Sequence, residues 1–381
     1  MNRIPRSWIA GAVALAVTAL VAHGRQTPYN NFVLLADALL NGHAWINWPG
    51  AYIDALLYAD KRYVIEAPMP ALLLMPFVRF FGTGANQTLL SIVLCGVSIG
   101  AAWELFERYG VRPLSNLAMC AMLLAGTDLL WCAMLGDVWF VAHVSSVCFT
   151  MLALCELAGK RRGWLVAIWA ACAVESRFTM VLVLPVYAWM LLVQDWKRRI
   201  GTFLAGLAPF AAFWVAYNQA RWGTWYDVGY TAWYHQDSAG SPTGSPFQLR
   251  YLGYQVWSFF QQGLKRGDAF PYYSIDTGVS GNALTWTSPA LVAAFLARKP
   301  EKTTIALWIC ALLTAAPNFV YYVNGFAQFG MRHALDFEPF LIALAALGVR
   351  DRVPGWVCVL VAYSCAVGLW GCWYWNAVLR T

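Results

Sequence analysis

Charge is what this sequence has least of. Only 12% of its 381 residues are Asp, Glu, Lys or Arg, about half the share of an ordinary soluble domain. With 60% hydrophobic residues, there is too little charge to cover a water-soluble surface of this size, so the apolar excess must face lipid. The ten cysteines (95, 120, 132, 148, 155, 172, 310, 358, 365, 372) lie in or at the ends of hydrophobic runs. They lack the paired loop spacings of a disulfide framework or a zinc site and read as small packing residues. The net charge of +7 falls in short clusters between apolar runs, not along a face, so the chain has no nucleic-acid footprint.

What is present is a succession of apolar runs. The first, Trp8 to Gly24, follows the basic start MNRIPR without a small-x-small cleavage site and reads as a signal anchor. Others lie near 86–106, 115–135, 138–158, 163–175, 178–194, 201–219, 284–297, 303–320, 336–349 and 354–376, giving about eleven spans, several shorter than the roughly 20 residues of a straight crossing. The expectation is an all-α, polytopic integral membrane protein: one transmembrane domain over residues 1–381.

With Met1 inside, the inner segments hold 15 of the 26 Lys and Arg: Arg3, Arg6, Arg108, Arg112, Lys160–Arg162, Lys197–Arg199, Arg298, Lys299, Lys302, Arg350 and Arg352. Cytoplasmic connections keep that excess. The outside then receives two long segments, 25–85 and 220–286, together with all five histidines and most acids. In the first, Asn31–Asn41 has helical apolar spacing ended by Gly42, which suits an interfacial helix, and Pro70–Phe81 is a short apolar stretch better placed on the membrane surface than across it. The second is dense in Trp and Tyr. That density reads as an aromatic belt, as a wall for a prenyl chain or as a stacking surface for a sugar.

This arrangement resembles the GT-C membrane glycosyltransferases, in the branch of the protein O-mannosyltransferases and the lipid A aminoarabinose transferase. The matching residues are Ala36, Leu39, Leu40, Gly42 and Trp45 of a first surface helix, and Glu66, Pro68 and Phe80-Phe81-Gly82 of a second. More loosely, Glu175-Ser176-Arg177 and Phe329 to Asp336 match as well. The resemblance implies a helical membrane protein with juxtamembrane helices that takes a sugar from a polyprenyl-phosphate donor and passes it to a lipid, glycan or protein hydroxyl on the periplasmic side of a bacterial inner membrane. The chain departs from the family at two places: Thr27, Pro28, Tyr29, Asn30 and Asn31 stand where the family has an acidic pair, and Ala67 replaces a basic residue.

Such transfer needs a carboxylate for the acceptor proton and cations for the leaving phosphate. The candidate bases are Asp54 and Asp37, closest in sequence to the family's position, followed by Asp137 and Glu66. Arg177, Arg332 and His333 are the candidate phosphate ligands, because an ionisable residue in an apolar run is expensive unless paired or liganded. His143, one turn into the membrane from Asp137, is a candidate partner for it, and with Trp225 and Tyr230 a candidate contact for sugar or prenyl groups. Glu175 is the nearest structural partner for Arg177, and Asp336 and Glu338 are for Arg332. A divalent cation stays open as a cofactor, since acids and histidines gather on the outer side, although no His-x-x-x-His or Asp-x-Asp spacing marks one there. The absence of a phosphate-binding glycine loop favours a lipid-linked donor over a nucleotide sugar. Two other classes fit the same features: a non-catalytic polyprenyl-lipid-binding protein, and a lipid or glycan transporter, against which stands the lack of an internal repeat.

Overall fold

The computed structural model describes residues 4–47, 55–263, 265–269, 273–274, 281–298, 301–325 and 327–378. Asp54 lies outside them, as do Arg3 and Lys299. In chain order the elements are α1 (Arg6–Ala22), α2 (Asn31–Leu40), β1 (Ala55–Tyr58), β2 (Lys61–Val64), α3 (Met69–Phe81), α4 (Gln87–Arg108), α5 (Pro113–Ala125), α6 (Leu129–Leu135), α7 (Val138–Ala158), α8 (Gly163–Val174) and α9 (Leu184–Met190). There follow α10 (Trp196–Trp222), α11 (Gly229–Gln236), α12 (Leu252–Phe260), β3 (Lys265–Arg266), β4 (Tyr273–Ser274), α13 (Leu284–Thr287), α14 (Lys302–Phe319), α15 (Glu338–Gly348) and α16 (Gly355–Ala377). Five 3-10 segments, Gly82–Gly84, Phe178–Val183, Leu249–Tyr251, Pro289–Leu296 and Arg332–Asp336, interrupt the sequence of α-helices among the described residues.

The molecule is helical, and among the described residues the strands form two short antiparallel pairs. Among the described residues four helices, α4, α7, α10 and α16, are long and apolar enough to cross a membrane alone. The expected run 115–135 becomes α5 and α6, bent by 48° around Gly126–Asp128. The hairpin 163–194 becomes shorter pieces broken at Glu175–Arg177, and 284–297 a short helix followed by a 3-10 turn. The runs break where buried polar groups sit: Thr127 and Ser176 turn their hydroxyls back onto Leu123 O and Cys172 O, and Arg177 reaches across to Asp336.

Packing is tight where side chains are smallest. α1 crosses α4 at Gly11, Gly96 and Gly100, where a methyl on Gly96 would come within 2.9 Å of Leu15 Cβ, so backbones approach as in small-residue helix pairs. α7 is buried along nearly its whole length and forms the axis of the bundle, between α4 and α8; α10 is almost wholly exposed at the edge. Gly136, at φ +66°, leads into α7; a Cβ there would lie 2.5 Å from Thr88 Cα, so the turn admits only glycine.

The basic segments gather at one end. Arg112 N–H donates to Arg350 O (2.9 Å), Arg108 Nη1 to Cys155 O (2.5 Å), Arg199 Nη1 to Lys160 O and Arg161 O (2.8 and 2.6 Å), and Lys302 Nζ to Leu192 O (3.0 Å). The two long segments meet at the other end. α2 ends as expected, with Gly42 at φ +81° and its N–H on Leu39 O. α2 and α3 bury Phe32, Leu35 and Leu74 against Val138 and Val141 of α7. Gln87 rivets this cap to the bundle: it accepts from Phe32 N (3.1 Å) and donates to Gly136 O (2.7 Å) and Tyr29 O (3.2 Å).

Candidate functional site

The ionisable residues of three separated segments, around 143, 177 and 332–336, converge. α8 ends at Glu175, and the chain turns through Ser176, whose hydroxyl donates to Cys172 O (2.7 Å) and lies 2.7 Å from Ser145 Oγ. The extended backbone of Arg177 (φ −145°) then carries its guanidinium onto Asp336. Nε and Nη2 donate to the two carboxylate oxygens at 3.1 and 3.0 Å, while Nη2 also lies 3.3 Å from His333 Nδ1. Asp336 further accepts from Thr179 Oγ1 (3.0 Å) and Asn318 Nδ2 (3.2 Å), and His143 Nδ1 stands 3.2 Å from its Oδ1. Its side chain is fully buried and that of Arg177 is 13% exposed.

A buried ion survives desolvation only with a close partner and satisfied hydrogen bonds. This carboxylate has both, and the bidentate geometry fixes the arginine's orientation, leaving Nη1 as the donor not spent on Asp336. His143 and His333 complete the cluster edge to face, with ring centroids 5.3 Å apart.

Arg332 is buried beside this group. Its Nη1 donates to Gln328 Oε1 (2.5 Å) and its guanidinium lies 5.5 Å from the Phe140 ring centroid. Gly330 makes room for the buried Asp128 carboxylate, which a Cβ at that position would overlap. Asp128 and Glu338 are within electrostatic reach of each other. The partner expected of Arg332, Asp336, is therefore taken by Arg177 instead.

A second buried group lies between the long segments. Arg221, at the end of α10, donates to Val64 O (3.2 Å) and Asn218 Oδ1 (2.8 Å), has Asp227 Oδ1 at 3.7 Å, and stacks on Tyr217 and Trp222 at 4.1 and 4.6 Å. Glu175 is buried and feels Arg221, not Arg177, as its neighbouring charge. Met69 N–H donates to Glu175 O (2.8 Å), which ties the start of α3 to this hairpin. Tyr230 bridges the two groups electrically. Burial pushes its phenol up to about 12, opposed by Arg177 and reinforced by Glu66, Asp227 and Asp336, so it stays a neutral hydrogen-bonding group. Glu66 is buried beside Tyr230 and Tyr217.

The remaining candidates separate. Asp137 caps the turn into α7 and takes a short hydrogen bond from the Thr27 hydroxyl, while Thr27 Oγ1 accepts from Tyr29 N (3.0 Å) and Val138 N–H donates to Tyr29 O (3.1 Å). The Thr27–Tyr29 stretch thus lies directly against Asp137. His143, six residues on, faces Asp336 and not Asp137. Asp37 is half-exposed on α2 and takes no part in the hydrogen bonds of the Arg177 group, and Trp225 is 69% exposed with its ring against Tyr226. Among the described residues no three His, Cys, Asp or Glu side chains come together as metal ligands.

Sequence reasoning passed over Asn318, Thr179, Asp128 and Arg221. Arg221 carried the same signal as Arg177, a charge at the end of an apolar run. Asn318 and Thr179 carried none, because an amide or hydroxyl in a membrane segment is common and its partner here is over a hundred residues away for Thr179 and on a different element for both.

No protein-family model matches the chain, and no curated protein sequence matches it. Among solved structures it is similar to ArnT from Cupriavidus metallidurans, determined bound to undecaprenyl phosphate, with a TM-score of 0.56 and 14% identity over 91% of this chain. The match covers 60% of that protein's length. The likeness covers most of the chain, so the chain shares the all-α, GT-C-like membrane fold of that structure.

Proposed function

We propose that the chain acts as a GT-C-type transferase, taking a sugar from a polyprenyl-phosphate donor such as undecaprenyl phosphate sugar and placing it on a lipid, glycan or protein hydroxyl. The reaction would run at the loop end of the bundle, the periplasmic side of a bacterial inner membrane if the basic end is cytoplasmic. The observation that carries this reading is the convergence of Arg177, His333, His143 and Asp336 from three separated regions at that end. Asp137 adds a carboxylate against the stretch that holds the family's acidic pair.

In this reading Asp137 removes the acceptor's hydroxyl proton as its oxygen attacks the anomeric carbon. The bond from that carbon to the phosphate oxygen breaks, and the polyprenyl phosphate leaves with the electron pair. Arg177, held in place by Asp336, with His333 and Arg332, offsets the negative charge that develops on the phosphate. His143 acts through Asp336, Tyr230 offers a neutral donor to the sugar, and Trp225 lies on the exposed side toward lipid. Glu66 and Asp37 are other carboxylates of the same loop end, and Asp54, outside the described residues, stays a candidate from its place in the sequence. The replacement of the family's acidic pair by Thr27–Asn31 favours a second reading, a protein of this fold that binds or moves polyprenyl lipids without chemistry.

Purified protein in nanodiscs, given a panel of radiolabelled polyprenyl-phosphate sugars with and without acceptor lipid, separates the two. Transfer or slow donor hydrolysis that falls by about 100-fold or more in Asp137→Asn supports the transferase; the asparagine oxygen still accepts from Thr27, so the fold is kept. Saturable binding with no turnover of any donor supports the second reading.

A further inference from the structure

Arg332 follows a stretch that its own local chemistry does not hold in place. Among the described residues from 323 to 331 there is no helix or strand, and Gly325 and Gly330 lie within it, so its course is set by what it touches. Gly325, at φ +115°, passes close to the guanidinium: a Cβ there would come within 2.5 Å of Arg332 Nη1 and of Gln328 Oε1. Gln328 Nε2 donates to Asn324 O (2.8 Å), and Gln328 Oε1 accepts from Arg332 Nη1. These contacts steady the arginine within its own turn; the turn itself needs an anchor.

Phe329, Gly330 and Met331 are buried, and buried irregular backbone needs partners for its carbonyls. Asn282, buried just before α13, gives Phe329 O two donors, its backbone N–H at 2.9 Å and its side-chain Nδ2 at 2.8 Å. The approach is backbone to backbone: Gly281 lies at φ +88°, and a Cβ on it would come within 2.4 Å of Gly330 O. Gln262 holds this corner in turn, its carbonyl accepting from Ala283 N–H (2.7 Å) and its Nε2 donating to Gly281 O. The Phe329 ring packs on Gly371 of α16, where a Cβ would lie 2.5 Å from it. Three residues past Phe329 the turn Arg332–Asp336 begins, with Ala334 N–H on Met331 O (2.8 Å).

We propose that Asn282 is a positioning residue: its side-chain amide clamps Phe329 O and thereby sets where the next turn presents Arg332 to the phosphate. The inference rests on the reading above, in which Arg332 meets a polyprenyl phosphate. Asn282 acts through the backbone and not on the ligand. Without its amide the backbone N–H of residue 282 still holds Phe329 O, so the fold is kept. What is lost is the alignment of the arginine's donors with a charged oxygen, which a hydrogen bond demands and an apolar contact with the prenyl chain does not.

The test measures binding of a polyprenyl phosphate and of the matching polyprenol to the full chain in nanodiscs, for the wild type, Asn282→Leu, Arg332→Gln and the double variant. Leucine is close to asparagine in size and removes only the side-chain donor. The preference for phosphate over alcohol should fall by about five-fold in Asn282→Leu, as for one lost hydrogen bond, while the affinity for the alcohol stays as in the wild type. In the Arg332→Gln background, adding Asn282→Leu should take away little more, because both changes remove the same interaction. A wild-type preference retained in Asn282→Leu, an equal loss of phosphate and alcohol binding, or the same fold-loss with and without Arg332 would overturn the inference alone. A wild type with no preference would overturn the phosphate reading and this inference with it. Asn282→Ala removes the same donor without a branched side chain, and it carries the same expected loss should the leucine variant not fold.

Discussion

Neutralising Asp336 should damage the fold more than any exposed acid, and a second change should repair most of that damage. In Asp336→Asn the Arg177 guanidinium keeps its buried position and loses its only bidentate counter-ion, at 3.1 and 3.0 Å. Breaking a buried pair from one side costs about 3–5 kcal/mol, because a charge is left in low dielectric, whereas removing both charges is close to neutral. Arg177→Met strands the carboxylate in the same way. At roughly 2 °C per kcal/mol for a chain of this length, each single variant should unfold about 6–10 °C below the wild type in nanodiscs. The double variant, Arg177→Met with Asp336→Asn, should return to within about 4 °C, because the asparagine still accepts from Thr179 or Asn318. The exposed pair Arg108–Glu104, also 3.0 Å apart but 32% and 37% exposed, supplies the contrast. Glu104→Gln should move stability by less than about 1 kcal/mol. Losses in the two single variants that simply add in the double would refute the reasoning, as would an Asp336→Asn protein as stable as the wild type.

Three further outcomes follow from the same structure. Gly96→Val places branched bulk where a single Cβ already comes within 2.9 Å of Leu15 Cβ; it should lower stability by about 1–3 kcal/mol, whereas Gly201→Ala in α10, with nothing within 4 Å, should leave the thermal midpoint unchanged or raise it. Gln87→Leu removes the donor to Gly136 O and Tyr29 O and the acceptor of Phe32 N, and should open the α2–α3 cap, read as faster amide exchange at residues 27–40 with little change in α14–α16. Cys358, exposed at the start of α16 beside the basic end, should react with a membrane-impermeant maleimide in inside-out vesicles and not in intact cells. Labelling in intact cells would invert the assigned orientation.

The parts of the fold that were legible in the sequence are those set by local chemistry. The apolar runs gave the helices, Gly42 the end of the first surface helix, and the Lys and Arg counts predicted the end at which Arg108, Arg112, Arg199, Lys302 and Arg350 meet. The breaks were harder to read. The 48° bend between α5 and α6 falls where Asp128 turns toward Gly330, two hundred residues away, and a hydropathy window sees only an apolar stretch. In the candidate site the reading found the charged residues but not their pairing. Arg177 was matched with its sequence neighbour Glu175, Arg332 with Asp336, and His143 with Asp137, each on proximity along the chain. The fold instead ties Glu175 to Met69 through its backbone oxygen, and gives Asp336 to Arg177 and His143, and Asp137 to Thr27. Salt-bridge partners in a bundle are chosen by which helix ends lie at the same height, and that follows from packing of the whole.

The most direct test is equilibrium binding of a polyprenyl phosphate and of the matching polyprenol, lacking only the phosphate, to the purified protein in nanodiscs. The account predicts saturable binding that depends on the phosphate, at least about tenfold tighter than the alcohol, a difference of roughly 1.4 kcal/mol. Equal affinity for the two, or binding of neither, would contradict a site built around Arg177, Arg332 and His333.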